Sequence, residues 1–163
     1  MRVLSFDQST RLTAYAVFED GELNKYNLIK LKTKDTDKRF VEMCREIFQT
    51  IANEKPDVVV CESVSLQTNA ATLTSLAKLL GAIVGWCIFE NIQCETYYAS
   101  QWRSILGFKN GKGCNREFYK EKAIAFIKDK FDIDMGDDIA ESICIGLAYF
   151  KDKGNKENGK EEG

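Results

Sequence analysis

The sequence predicts an α/β protein: a mixed five-stranded sheet with helices on both faces. Three observations carry that prediction. The chain opens with three β-rich segments in meander order, continues as helix, strand, helix, strand, and closes in helices. Its second apolar strand, Val58-Val59-Val60-Cys61, is a continuous β-branched run of the kind covered on both faces of a parallel sheet. A length of 163 residues with 44% hydrophobic and 29% charged side chains suits one domain with a substantial core.

The elements follow in order. Val3 to Asp7 is a short apolar run ending in an acid and reads as a buried strand. Leu12 to Glu19, rich in Thr, Tyr, Val and Phe, reads as the second. Asp20-Gly21 is a hairpin turn signal, from which Glu22 to Leu31 returns as the third. From Asp37 to Asn53 the period changes. Phe40, Met43, Cys44, Ile47 and Ile51 recur at three and four residues, which is an amphipathic helix, and Pro56 ends it. Val58 to Glu62 is the fourth strand, again ending in an acid. Thr68 to Glu90 is a long helix whose Ala70, Ala71, Ala77, Gly81, Ala82 and Gly85 permit close packing. Gln93 to Tyr98 is the fifth strand. Ser100 caps a short helix through Leu106, and Phe108 to Gly113 is a basic, glycine-rich loop. Asn115 caps a helix to about Lys130, and Asp137 or Asp138 caps the last one, to about Lys151. Residues 1–152 are expected to form the domain. The segment 153–163, free of apolar residues, is expected to be a disordered tail.

Composition excludes several chemistries. There is no histidine, so there is no Ser-His-Asp triad, no Cys-His pair and no His-ligated zinc. Acid-base work near neutral pH falls to carboxylates, Lys, Cys, Tyr or metal-activated water. The six cysteines form no CxxC pair and sit mostly inside apolar runs, as buried thiols of a reducing compartment do. No continuous apolar run approaches the roughly 20 residues of a membrane span, and the N-terminus has no signal-peptide pattern. A cytoplasmic protein with no membrane partner is the expectation.

The net charge of −2 hides an uneven distribution. Residues 100–130 carry 8 basic and 3 acidic side chains, whereas residues 131–163 carry 4 basic and 9 acidic ones. A basic segment beside an acidic one suits an anionic polymer bound next to a metal-holding pocket.

Four carboxylates stand out by position. Asp7 ends the first strand, Glu62 ends the fourth, and Asp138 and Glu141 open the last helix on one face. Each lies in an otherwise apolar segment, so the segments should meet in the core with their acids gathered at one edge. A single such acid can equally start a turn or cap a helix. Four gathered together repel one another, and each buried ion costs several kcal/mol unless compensated. Divalent cations remove both penalties. Mg²⁺ favours carboxylates, water and phosphate oxygens, and a pair of such ions can drive phosphodiester cleavage without histidine.

At these residues the chain resembles the RuvC-type Holliday junction resolvases. Val3-Leu4-Ser5-Phe6-Asp7-Gln8-Ser9-Thr10, with Ala14-Tyr15-Ala16-Val17 behind it, looks like the family's opening motif. Val58-Val59-Val60-Cys61-Glu62 looks like its second acidic strand, followed by Asn69 and the Leu79-Leu80-Gly81 helix at the family's spacing. Asp138-Ile139-Ala140-Glu141-Ser142-Ile143-Cys144-Ile145-Gly146 resembles the closing motif. The likeness covers roughly residues 2–150, and the lysine-rich tail and short length look like a bacteriophage branch.

The resemblance implies a ribonuclease H-like fold, a homodimer and metal-dependent nicking of branched DNA, Holliday junctions above all. Carried over by position, Asp7, Glu62, Asp138 and Glu141 would be the catalytic residues. They would hold two Mg²⁺ ions, with Mn²⁺ able to substitute, and the products would carry a 5′-phosphate and a 3′-hydroxyl. Three departures stand out. Ser9 and Ala14 replace usual glycines, Glu141 replaces a usual Asp, and Ser65, followed by Leu66, stands where the family often has an aromatic wedge. The DNA-binding candidates are Arg103, Lys109, Lys112, Arg116 and Lys120, with Arg116 and Lys120 on one helix face. Trp102 and Phe108 flank this stretch as candidate stacking rings, although Trp102 on a short amphipathic helix fits the core better. Leu73, Leu76, Leu80, Ile83, Val84 and Cys87 of the long helix divide between the sheet and a dimer interface. Two alternatives use the same acids or fold: an RNA-processing nuclease, and a DNA-junction binding protein that does not cleave. An ATPase of the same core needs two domains, more than this length supplies.

Overall fold

The computed structural model describes residues 1–65, 69–108, 111 and 113–161. Its elements are β1 (Arg2–Asp7), β2 (Leu12–Glu19), β3 (Glu22–Lys30), α1 (Thr36–Glu54), β4 (Val58–Ser63), α2 (Ala70–Phe89), β5 (Gln93–Tyr98), α3 (Ala99–Ile105), α4 (Arg116–Phe131) and α5 (Asp137–Glu161). The strand order is β3-β2-β1-β4-β5. The meander β1-β2-β3 is antiparallel, and β4 and β5 add in parallel on the other side of β1. The β2–β3 turn is Asp20-Gly21, both at positive φ (49° and 89°), which matches the right-handed twist of its strands.

The sheet separates two apolar layers, and strand parity assigns side chains to them. Leu4 and Phe6 of β1 and Val59 and Cys61 of β4 pack with Met43, Ile47 and Ile51 of α1 and Leu79, Ile83 and Cys87 of α2. Val3 of β1 and Val58 and Val60 of β4 face Trp102, Ala123, Ile127, Ile143 and Ala148 on the three later helices. Cys44, Cys61, Cys87 and Cys144 are buried, Cys94 and Cys114 half-buried, and none is in a disulfide.

Helix α5 lies close on β1 and β2. A methyl group on Gly146 would stand 2.2 Å from the Phe18 ring and 2.8 Å from Ser5 Oγ, so only glycine fits. Beside it the buried Ser5 hydroxyl donates to the Ser142 carbonyl at 2.7 Å. That bond ties the middle of β1 to the second turn of α5.

Three expectations are corrected. The last helix does not end near Lys151 but continues to Glu161, through most of the segment expected to be disordered. Ion pairs account for the extension: Lys153 reaches Glu95 of β5 at 2.9 Å, and Asp152 and Lys156 pair one helical turn apart at 2.7 Å. Tyr97 donates to Asp152 at 2.9 Å, fastening the same turn to β5. Helix α3 starts at Ala99 rather than after Ser100, with the Tyr98 amide donating to Gln101 Oε1 at 2.8 Å. Finally, α2 is long and apolar enough, by length and composition alone, to cross a membrane. Interspersed Thr, Ser, Gly and one Lys hide this from a search for unbroken apolar runs. Only Leu79, Ile83 and Cys87 of its residues are buried.

Gly146→Ala is expected to destabilise the fold by about 1–3 kcal/mol, the usual cost of overpacking. Urea unfolding measures it, and a change below about 0.5 kcal/mol would mean that α5 does not need this approach.

Candidate active site

Parity places the first two acids. Asp7 shares its face of β1 with Val3 and Ser5, and Glu62 shares its face of β4 with Val58 and Val60, so both point to the α3–α5 layer. The parallel register Phe6↔Cys61 makes the two strands end side by side. Gln8 fixes this end, its side-chain amide donating to the Glu62 carbonyl at 2.6 Å. Since Ser5 and Gly146 set α5 against β1, the first two turns of α5 bring Asp138 and Glu141 to the same edge.

The four carboxylates expected from the sequence therefore lie at one edge, near enough for Glu141, Glu62 and Asp138 to act electrostatically on Asp7. Burial pushes Asp7 well above the usual carboxylate range, and the charges of Glu141, Glu62 and Asp138 push it further. Among the described residues no donor is hydrogen-bonded to its side chain. Burial also raises Glu62, against the Trp102 N–H and the charges of Arg103 and Arg116. It raises Glu141 together with the Glu62 charge, against Arg103, and raises Asp138 together with Asp137, against Lys120 and Arg116. A small cleft of about 40 Å³ opens beside the first pair, lined by Asp7, Gln8, Glu62, Ser63, Val64 and Ser65 with Leu76 of α2.

The basic candidates separate. Arg103 belongs to the site: it approaches Glu141 at 3.4 Å and lies between the rings of Trp102 (4.9 Å) and Tyr119 (4.2 Å). Arg116 opens α4, and its charge is felt at Asp7, Glu62 and Asp138. Lys120 pairs with Asp137 at 2.7 Å, and its charge, like that of Arg116, is felt at Asp138. Lys109 and Lys112 lie outside the described residues. Trp102 is wholly buried and Phe108 nearly so, which removes both as surface stacking platforms. Asn69 caps α2, accepting from the amides of Ala71 and Thr72.

Sequence reasoning missed two groups at the site. Gln8 gave no signal beyond its place after Asp7. Trp102 was legible as core, and a buried indole N–H seeks a partner. That partner is Glu62 Oε2, at 2.8 Å.

The donor set is all oxygen and acidic, which is the chemistry of Mg²⁺ and Mn²⁺ rather than of zinc. Asp7, with its charge raised in cost and no hydrogen-bond donor, fits a cation. No three His, Cys, Asp or Glu side chains among the described residues stand together as a ready-made ligand cage.

A family model described as Crossover junction endodeoxyribonuclease RuvC matches residues 3–145. The chain is 36% identical over 155 residues to the Crossover junction endodeoxyribonuclease RuvC of Aliarcobacter butzleri, covering 91% of this chain and 97% of that one. It is 24% identical over 156 residues to the protein of that name from Caldicellulosiruptor saccharolyticus, covering 91% and 92%. These relatives are bacterial, and the bacteriophage branch expected from the sequence is not borne out. Among solved structures, the fold is similar to T. thermophilus RuvC in complex with Holliday junction substrate. The TM-score is 0.73 at 13% identity, over 93% of this chain and 94% of that one.

The raised carboxylates have a consequence for stability. A carboxyl that binds its proton more tightly when folded makes stability fall as pH rises through its ordinary and then its raised pKa. With divalent cations chelated, Asp7→Asn should therefore melt higher than wild type at pH 7.5, with the gap closing towards pH 4. Thermal melts in EDTA at both pH values check this, and a gap independent of pH would mean the Asp7 charge carries no such cost.

Proposed function

The chain belongs to the crossover junction endodeoxyribonuclease RuvC family, and from that premise we propose that it is a structure-selective endonuclease nicking branched DNA, Holliday junctions first. The observation that carries this reading is the convergence of Asp7, Glu62, Asp138 and Glu141 at one edge of the sheet, beside the cationic Arg103 and Arg116. The four acids would hold two divalent cations, Mg²⁺ by preference with Mn²⁺ as substitute. When bound, such ions supply the positive charge the acids lack and the activation of water for phosphodiester hydrolysis.

The chain's own groups do the rest. Asp7 and Glu62, on adjacent parallel strands, form the fixed half of the ligand set, because both strands are central in the sheet. Asp138 and Glu141 form the half delivered by α5. Arg103 neutralises Glu141 and Arg116 sits across from the acids, so DNA phosphate meets positive charge at the mouth of a negative site. The opening beside Glu62 is lined by Ser63, Val64 and Ser65. Among the described residues lining this opening there is no aromatic ring.

Two copies would be needed to cut a symmetric junction on both sides, and α2 offers the surface for them. Its Ile88 and Phe89 are 71% and 75% exposed, and nothing lies within 4 Å of a methyl group built on Gly81 or Gly85. A second protomer packed on this apolar, small-residue face covers what the sheet leaves open. Work on chromosomal DNA in the cytoplasm fits this reading.

Asp7→Asn and Glu62→Gln should each lower cleavage of a labelled four-way junction in Mg²⁺ by about 100-fold or more, at least the loss typical of a group supporting a metal ligand. Junction binding should persist, since repulsion of phosphate falls. Cleavage unchanged in either variant overturns the site. Cleavage of structured RNA in preference to every branched DNA, or tight junction binding with no cleavage by wild type, overturns the activity.

The dimer is tested by Gly85→Glu combined with Ile88→Glu, two exposed positions whose change leaves the protomer core intact. Sedimentation should show a wild-type dimer and a folded monomeric variant, and a monomeric wild type would remove α2 as the interface.

A further inference from the structure

We infer that Trp102 is a positioning residue for the metal site: its indole N–H holds one oxygen of Glu62, fixing that carboxylate in the orientation in which its other oxygen ligates the cation. The inference rests on the functional reading above and adds to it a residue outside the four acids.

The geometry carries it. Trp102 Nε1 donates to Glu62 Oε2 at 2.8 Å, and no donor among the described residues is hydrogen-bonded to Oε1. The indole is a donor only, so it cannot ligate a cation itself, and it brings no positive charge to repel one. Arg103, the next residue, treats the other acid differently, offering Glu141 a cation. Two consecutive side chains of α3 thus hold two acids from two other elements, β4 and α5.

The ring itself is closely packed. Trp102 is the largest fully buried side chain among the described residues. Phe108 meets it edge-on at 5.8 Å between centroids, and the Arg103 guanidinium covers it at 4.9 Å. A rotamer locked on this scale transfers its rigidity to the carboxylate it touches, which is how outer partners raise metal affinity. The second tryptophan, Trp86, is the natural contrast. It stacks on Phe48 at 4.5 Å in the opposite layer, and its buried N–H has no partner among the described residues. An indole in this fold can therefore be buried for packing alone, and Trp102 is the one with an acid to hold.

The test uses the full-length protein without DNA, reading bound Mn²⁺ from the loss of the free-ion EPR signal. Trp102→Phe keeps most of the ring volume and removes the N–H. It should bind Mn²⁺ about 10–100-fold more weakly than wild type, while Trp86→Phe binds as wild type does. A cooperatively folded Trp102→Phe with unchanged affinity overturns the inference. Because burial makes Trp102→Phe a risk to folding, the wild type supplies an independent measurement. Of its two indole N–H resonances, assigned with Trp86→Phe, the Trp102 signal should move on Mg²⁺ titration and the Trp86 signal should not. An unmoved Trp102 signal at saturating Mg²⁺ overturns the inference. Wild type that binds no divalent cation overturns the functional reading and this one with it. Wild-type binding together with an indifferent Trp102 overturns this one alone.

Discussion

The approach of α5 to β1 is the constraint on which the rest of the structure depends. A helix packed on a sheet ordinarily stands off by the width of its side chains. Here Gly146 has none, and the Phe18 ring and Ser5 hydroxyl occupy the space a side chain would fill. The Ser5–Ser142 hydrogen bond then fixes the helix along its axis as well as its depth. Depth and register together decide whether Asp138 and Glu141 stand over the end of β1 or one turn away from it. Side chains one turn apart along a helix are about 5.4 Å apart, more than the span of a coordination shell.

The site so assembled is unfavourable to its own fold when no cation is bound. Asp7, Glu62, Asp138 and Glu141 each lose hydration, and for Asp7 the other three add repulsion to that loss. The apolar layers on both sides of the sheet oppose this cost, as does the central position of β1 and β4, whose backbone groups are paired on both sides. Local relief is selective. Glu141 has a cation in Arg103 and Glu62 has a neutral donor in Trp102, whereas Asp7 has no hydrogen-bond donor among the described residues. That gradation is what a site built to receive positive charge needs. Held too well by internal cations, the acids would have no affinity left to offer.

The two faces of the sheet divide the labour. The layer with α3, α4 and α5 carries the acids, the arginines and the rings that hold them. The layer with α1 and α2 carries no acid of the site, and α2 turns only Leu79, Ile83 and Cys87 inward. So little of this apolar helix is buried that the dimer proposed above would cover it. Its N-terminal half still reaches the cleft, where Leu76 stands beside Asp7 and Glu62.

The sequence by itself determined the order and type of the elements, because periodicity is local. The apolar run of β1 closing in an acid, the three-and-four spacing in α1, the Asp20-Gly21 turn and the asparagine cap at Asn115 each declare themselves within a few residues. It also declared the four acids, since an acid closing an apolar strand is conspicuous wherever the strand goes. What only the tertiary structure decided depends on distance in space. Trp102 and Glu62 are 40 residues apart and Ser5 and Ser142 are 137 apart, and no pattern in the chain links either pair. Which lysine is spent on an internal acid was equally hidden, and Lys120 proved to be the partner of Asp137. The extension of α5 past Lys151 against a local composition poor in apolar residues came from Glu95 and Tyr97 on a distant strand. Local propensity writes the elements, but hydrogen bonds and ion pairs between them form only after the sheet has brought remote segments together.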